Sequence, residues 1–469
     1  MSEQNWFGRV GRFARPSHRL VGRFAKPSHP LRHRCQALVA GIVLLGAWTA
    51  TVNEVGAGGE EPRAAGERGA IVATALSEKG TLIRGARAAT AAWQVVAQNE
   101  KLHAGDLLVG LPGAELVSRD GAVRLDFLAD LDRLSPYPIR ECAVKLRENL
   151  QVDLDVFLDR GRLDLVNQKD KGPAQVRVQV RKDSFDFTLA RPGARVALEL
   201  YGRWPRGVPF TKNSDAKHVP TATLLILALD GEALLKHEHH ELALKAPPGP
   251  ALVEWDSVTG MDDTPHRLER LPQWARARGE NTAEGKLRQA ALARLRQALA
   301  TQPIETVEDE FLNSQNPVDR GLAVSALAAM DDLSRLGQAL REAKHPDVWE
   351  NGVEALRSWI GRRPGQDQIL YQRLIEVAKY KPVQAETVMQ LLHSFGDSDL
   401  AEPETYQTLI DYLDHDALAI RGLAYWHLSR LVPEGKKFGY NPTDSKEKRE
   451  AAIQKWRQLI PKGHLPPRQ

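Results

Sequence analysis

The sequence predicts a multidomain fold class: an all-β sandwich or barrel-like domain followed by an all-α helical repeat domain, behind a single N-terminal transmembrane or signal segment. Three observations predict it. An uncharged apolar run, Ala37–Val52 (ALVAGIVLLGAWTATV), follows a strongly basic leader. From about Ala86 to Leu268 the apolar residues recur with period two, the signature of half-buried strands. Beyond about Asn281 the period becomes 3.6, the signature of amphipathic helices. At 469 residues the chain has room for more than one core. Its 42% hydrophobic and 26% charged residues exclude wholesale disorder.

The leader carries most of the charge asymmetry. Residues 1–34 hold eight basic residues (Arg9, Arg12, Arg15, Arg19, Arg23, Lys26, Arg32, Arg34) against Glu3, a local charge of +7. With +4 overall, the remainder is left at −3, so the folded part offers no argument for nucleic-acid binding. Val10–Leu20 (VGRFARPSHRL) and Val21–Leu31 (VGRFAKPSHPL) form a tandem 11-residue repeat. Its basic and proline content suits a disordered tail, either a solvated arm that fixes orientation or one that docks on anionic headgroups. Extending the apolar run back to Cys35 gives residues 35–52, near the lower length for a membrane-spanning helix.

Arg32 and Arg34 before the run, and Glu54, Glu60 and Glu61 after it, place the N-terminus in the cytoplasm and the rest in the periplasm. The expected location is the inner membrane, single-pass. The alternative is secretion after signal cleavage near Val55-Gly56-Ala57. Residues 53–85 are expected to be a flexible linker, with Gly56–Gly69 its most glycine-rich part. The two cysteines, Cys35 and Cys142, flank the apolar run and exclude both a disulfide framework and a cysteine zinc site.

The all-β domain is expected over 86–280. Leu150, Val152, Leu154, Val156 and Leu158 alternate with polar residues; so do Val176, Val178 and Val180, then Phe185, Phe187 and Leu189, then Val196, Leu198 and Leu200. Turn chemistry separates the runs at Asp120-Gly121, Asp159-Arg160-Gly161, Pro192-Gly193 and Asp230-Gly231. Thr223–Leu229, the Asp230-Gly231 turn and Glu232–His240 read as a hairpin.

The all-α domain is expected over 281–469. Asn316-Pro317, His345-Pro346, Lys381-Pro382 and His415-Asp416 each open a helical run. Proline suits the first helical position, where its missing N–H would be unpaired anyway. Gly321, Gly352, Thr387 and Gly422 align at spacings of 31, 35 and 35 residues, with room for a second helix between them, as at Leu333–Ala343 and Ile369–Lys379. An irregular helical bundle is the alternative. Trp349, Trp359, Trp426 and Trp456 recur on these helices as core fillers.

Two resemblances follow. The segments DGAVRL (Asp120–Leu125), LDRGRLDLV (Leu158–Val166), PAQVRVQV (Pro173–Val180), TLARPGARVALEL (Thr188–Leu200) and ALDGEALLK (Ala228–Lys236) resemble, in order, the periplasmic domain of FecR-type regulators. The helical spacing is similar to HEAT-like repeats. The ending Phe438–Ile460, with Gly439, Tyr440, Pro442 and Trp456, resembles the terminal unit of HEAT-like domains in secreted or membrane proteins of planctomycete-type bacteria. The resemblances imply a β domain that senses or binds a periplasmic partner and a helical scaffold for protein binding. They also admit a transmembrane regulator that signals to a cytoplasmic sigma factor.

Candidate chemistry is sparse. Lys236-His237-Glu238-His239-His240-Glu241 concentrates metal-ligand types, and strand alternation would put His237 and His239 on one face. A third ligand is not indicated by spacing, and a polar hairpin edge accounts for the same residues. Asp153, Asp155 and Asp159 on one strand, and Asp183 and Asp186 on another, offer paired carboxylates of the kind glycoside hydrolysis uses, so an extracellular glycan-acting enzyme is a further alternative. There is no P-loop, G-x-S-x-G or H-E-x-x-H. The expectation is a non-enzymatic interaction protein without a cofactor, its partner a protein and its membrane contact residues 35–52.

Overall fold

Alternation in the sequence becomes alternation in burial. In Ala174–Val180 the valines point inward and the Gln and Arg side chains outward, and Asp183–Leu189 does the same with Phe185, Phe187 and Leu189. A computed structural model describes residues 69–85, 93–128, 141–213, 218–275, 283–341 and 344–467. The basic tail, the apolar segment 35–52 and residues 53–68 lie outside the described residues. Among the described residues no helix is long and apolar enough to cross a membrane.

A large mixed β region is followed by a helical region. The strands are β1 (Ile71–Ala75), β2 (Leu82–Arg84), β3 (Gln94–Val95), β4 (Lys101–His103), β5 (Leu107–Gly110), β6 (Glu115–Ser118), β7 (Val123–Leu128), β8 (Cys142–Arg147), β9 (Leu154–Asn167), β10 (Ala174–Val180), β11 (Asp183–Leu189), β12 (Arg195–Arg203), β13 (Thr221–Asp230), β14 (Glu232–His237), β15 (His240–Lys245), β16 (Gly249–Asp256), β17 (Gly260–Met261) and β18 (His266–Leu268). They form two hydrogen-bonded groups. The first runs β4-β1-β6-β7-β9-β12-β13-β16, with β17 and β18 on β16. The second runs β3-β2-β5-β8-β9-β10-β11-β14-β15. Every pairing is antiparallel except β9 with β10.

Strand β9 belongs to both groups. Its first half pairs with β8 and β10, and from Gly161 onward it pairs with β7 and β12. Gly161 has φ +89°, and a Cβ there would lie 1.9 Å from the Glu141 carbonyl oxygen. Only glycine fits that bend. One apolar core joins the groups, taking Val144, Val156, Val176 and Phe187 from one and Leu116, Leu125, Leu198 and Leu224 from the other. Each such side chain contributes about 1.5–3 kcal/mol by leaving water.

Four expectations are corrected here. The stretch expected as linker up to residue 85 contains β1 and β2. Leu150 and Val152 precede β9, and Leu150 is exposed, so the strand starts at Leu154. Asp159-Arg160-Gly161 is not a turn between strands but the bend inside β9. The chain through Asp230-Gly231 is not a hairpin: β13 pairs with β12 and β16, whereas β14 pairs with β11 and β15. Gly231 carries the chain from one group to the other.

The helices are α1 (Ala283–Thr301), α2 (Ile304–Leu312), α3 (Pro317–Ala329), α4 (Leu333–Ala339), α5 (Pro346–Ile360), α6 (Gln366–Glu376), α7 (Pro382–His393), α8 (Asp397–Leu400), α9 (Pro403–Tyr412), α10 (Leu418–Leu431) and α11 (Lys446–Leu459). Proline opens α3, α5 and α7 as the sequence predicts, and Asn316 Oδ1 caps α3 by accepting from Val318 N at 3.0 Å. The four runs expected from sequence, α3, α5, α7 and α10, touch one another in succession, and α4 touches α6. Trp349, Trp359 and Trp456 are buried in their shared core, while Trp426 is half-buried against it.

The expected boundary near residue 280 separates strand from helix but not two bodies: the described residues on both sides of it belong to one compact unit. Ile83, Val109 and Ala143, aligned across β2, β5 and β8, pack into a second core with α1, α2 and α3. The β12–β13 connection inserts Phe210 among the helices, where Gln390 bonds both its N–H (3.1 Å) and its C=O (2.8 Å).

The Gly161 bend gives a direct test. Gly161→Ala should lower stability in urea by at least about 2 kcal/mol, since it adds a backbone collision to the cost of a left-handed conformation. Gly121→Ala, at φ +77° but with nothing within 4 Å of the added methyl, should cost only about 1 kcal/mol.

Candidate functional site

Among the described residues, two of the places that gather charged or ligating side chains bear on the predicted sites. The first lies where the β9 bend meets the helices. Just before Gly161, Arg160 reaches out of the β region and donates to the Ala329 carbonyl, at the C-terminal end of α3. Arg362, just after α5, donates to the Ala328 carbonyl at 3.2 Å and to Asp331 at 2.5 Å, and pairs with Glu141. Asp331, at φ +57°, also accepts from the Trp359 indole at 3.0 Å. Asp159 pairs with Arg160 and Arg363.

Three arginines thus meet three carboxylates around the C-terminal end of a helix, the end whose dipole favours cations. Burial alone would raise the Asp331 carboxyl, but Arg160 and Arg362 outweigh it and hold the group below its ordinary value. Burial and Arg160 lower Arg362, while Glu141 and Asp331 act in the opposite direction.

The second place is the β14–β15 hairpin tip. The expectation that His237 and His239 share a strand face is corrected. Strand β14 ends at His237, Glu238 turns at φ +49°, and β15 starts at His240, directly opposite His237. Alternation stops where the strand stops. The His239 ring lies 4.1 Å from that of His240, whose Nε2 is 3.1 Å from Asp263. His237 is instead buried, stacked on Phe185 at 4.3 Å, with Nδ1 3.0 Å from the Ser184 carbonyl. Asp183, His237 and Glu238 each offer one ligand atom within 4.8 Å of the others.

The acids read as paired carboxylates have separate partners. Asp153 accepts from Gln175 N and meets Lys169, Asp155 is held by Asn149 and Arg147, and Asp186 takes a two-point contact from Arg177. Burial raises the Asp155 carboxyl. It also pushes the Cys142 thiol up to about 12, so this free cysteine is unreactive at neutral pH. An open cleft of about 380 Å³ lies among α1, α2 and α3, lined by Arg294, Gln297, Thr301, Glu310, Phe311 and Asp319. Its Arg294 and Asp319 pair with each other at 2.5 Å. Nearby on α2, burial raises Glu308 to about 8 despite its contact with Arg335.

Sequence reading missed the Glu141–Arg160–Arg362 grouping, whose three members are separated by long stretches of chain. The available signal was the run Asp159-Arg160-Gly161-Arg162, which puts charges on both faces of a strand. It also missed Asp183 as the neighbour of His237, because that pairing depends on β11 lying beside β14. Comparison of the chain with protein-family profiles, curated proteins and solved structures returned no match.

Arg362→Met should destabilise the protein by about 3–5 kcal/mol, because it strands the buried Glu141 carboxylate and removes the cation beside Asp331. Adding Glu141→Gln should recover part of that loss, a coupling that urea melts of the double-mutant cycle measure. A second expectation concerns acid. Burial, reinforced by Arg357 and Arg430, lowers His427 to about 3, although its Nε2 lies 2.7 Å from the Leu391 carbonyl. Below the ordinary pKa of 6.5 the unfolded chain therefore binds the proton first, so stability falls as pH drops from about 6.5 towards 3. His427→Gln should show a shallower loss between pH 7 and 4.5 in the same melts.

Proposed function

We propose that this chain is a non-enzymatic interaction protein of the periplasm, with a FecR-like β region and HEAT-like stacked helix pairs that present a surface to a protein partner. The apolar segment 35–52 would hold it at the inner membrane or direct its export. The observation that carries the reading is the locked junction. Arg160, Arg362 and Phe210 fix the helical row against the β region, so the helices form a rigid support rather than a tethered appendage. Stacked helix pairs of this kind serve as extended binding surfaces. Ile369 on α6 and Val383 at the start of α7 expose apolar side chains, at 50% and 74%, on helices that touch. Isolated exposed apolar residues are ordinary, but two on adjoining helices make a natural place to perturb binding.

The test is crosslinking of the full chain in its own cells, followed by affinity recovery. Wild type should retain a specific protein that the Ile369→Asp, Val383→Asp double variant loses, while circular dichroism and thermal midpoint stay unchanged. Equal recovery by both chains would overturn this placement of the surface. Recovery of no protein above background would overturn the partner-binding reading.

A further inference from the structure

We propose that Asp183, His237 and Glu238 form a divalent metal site, with Zn²⁺ bound by His237 Nε2, one oxygen from each carboxylate, and water. The inference concerns the end of the β region and does not depend on the partner-binding reading.

The argument begins with the imidazole. His237 Nδ1 lies 3.0 Å from the Ser184 carbonyl oxygen, which can only accept, so Nδ1 carries the hydrogen of that bond. Nε2 is then the lone-pair nitrogen, the form that binds a metal. Histidine ligands commonly donate their other N–H to a backbone carbonyl in this way, which fixes both tautomer and ring orientation. The ring is further held flat on Phe185, with centroids 4.3 Å apart and 11° between planes, and Phe185 is wedged edge-on against Trp255 at 5.6 Å. His237 is only 5% exposed. Its position is therefore set before any ion arrives.

The same strand segment places the second ligand. Ser184, which orients the ring, follows Asp183 at the start of β11, and β11 pairs with β14. The third, Glu238, is turned by its positive φ at the hairpin tip. Lys182 directly precedes Asp183, and Arg181 before it directs its guanidinium to the Pro220 and Arg362 carbonyls at 3.0 and 3.4 Å.

Zinc–ligand bonds of about 2.0–2.2 Å in tetrahedral geometry place ligand atoms roughly 3.3–3.6 Å apart. One ring nitrogen of His237 and one oxygen from each carboxylate lie within 4.8 Å of one another, and the exposed Glu238 side chain can rotate towards the ion. Two carboxylates and a neutral imidazole balance the charge of Zn²⁺. The bound ion would clasp the tips of the β10–β11 and β14–β15 hairpins together. His239 takes no part.

The test uses the full chain stripped by chelator and titrated with Zn²⁺ by calorimetry. One ion per chain should bind. Asp183→Asn and Glu238→Gln should each weaken binding at least about tenfold, with unchanged stability in the absence of zinc. His237→Gln should abolish binding, and His239→Ala should leave it intact. Glu238 is exposed, so its variant tests the site even if the His237 variant fails to fold. No stoichiometric uptake would overturn the proposal. So would uptake that survives Asp183→Asn and Glu238→Gln but is lost in His239→Ala.

Discussion

The contact on which the rest of the architecture depends is the one Arg160 makes with the end of α3. A single glycine with φ +89° bends β9 from one strand group to the other, and the residue before it leaves the sheet to donate to Ala329. The bend that lets one strand serve both groups therefore also anchors the helical region. No straight strand could do both. A strand confined to one group would leave the other without its central member, and the shared core of Val156, Leu158, Leu163 and Leu165 would be divided.

Electrostatics at this junction are balanced rather than strongly attractive. Arg160, Arg362, Glu141 and Asp159 meet where water is largely excluded, with Arg363 and Asp331 at the wet margin, and burying the four costs nearly what their pairing returns. Their main effect is on geometry. Arg362 must reach Glu141, Asp331 and the Ala328 carbonyl together, which it does only when α3, α5 and the start of β8 are in register. Apolar contacts from Ile83, Val109 and Ala143 supply the attraction, and the charges select one orientation.

Much of this organisation was legible in the sequence where it depends on local periodicity. The valine alternation of β10, the phenylalanine alternation of β11 and the proline-opened helices α3, α5 and α7 all appear where their patterns place them. What was not legible depends on partners far away in the chain. Asp159-Arg160-Gly161 has the composition of a turn, and nothing local says that the strand continues beyond it. Asp230-Gly231 looks like a hairpin turn because the apolar runs on either side are equally strong; only pairing partners show that they enter different groups. His237 and His239 share a face only if the strand continues, and the tight turn at Glu238 ends it. The convergence of Asp183 on His237 required knowing that β11 and β14 are neighbours.

If the bend and its arginines make the β and helical regions one cooperative unit, native-state hydrogen exchange should reveal it. The slowest amides of α3 and α5 and those of β8 and β9, followed by mass spectrometry in increasing sub-denaturing urea, should converge on a single opening free energy with a single urea dependence. Helical amides that open at a distinctly lower free energy while β8 and β9 stay protected would contradict the account.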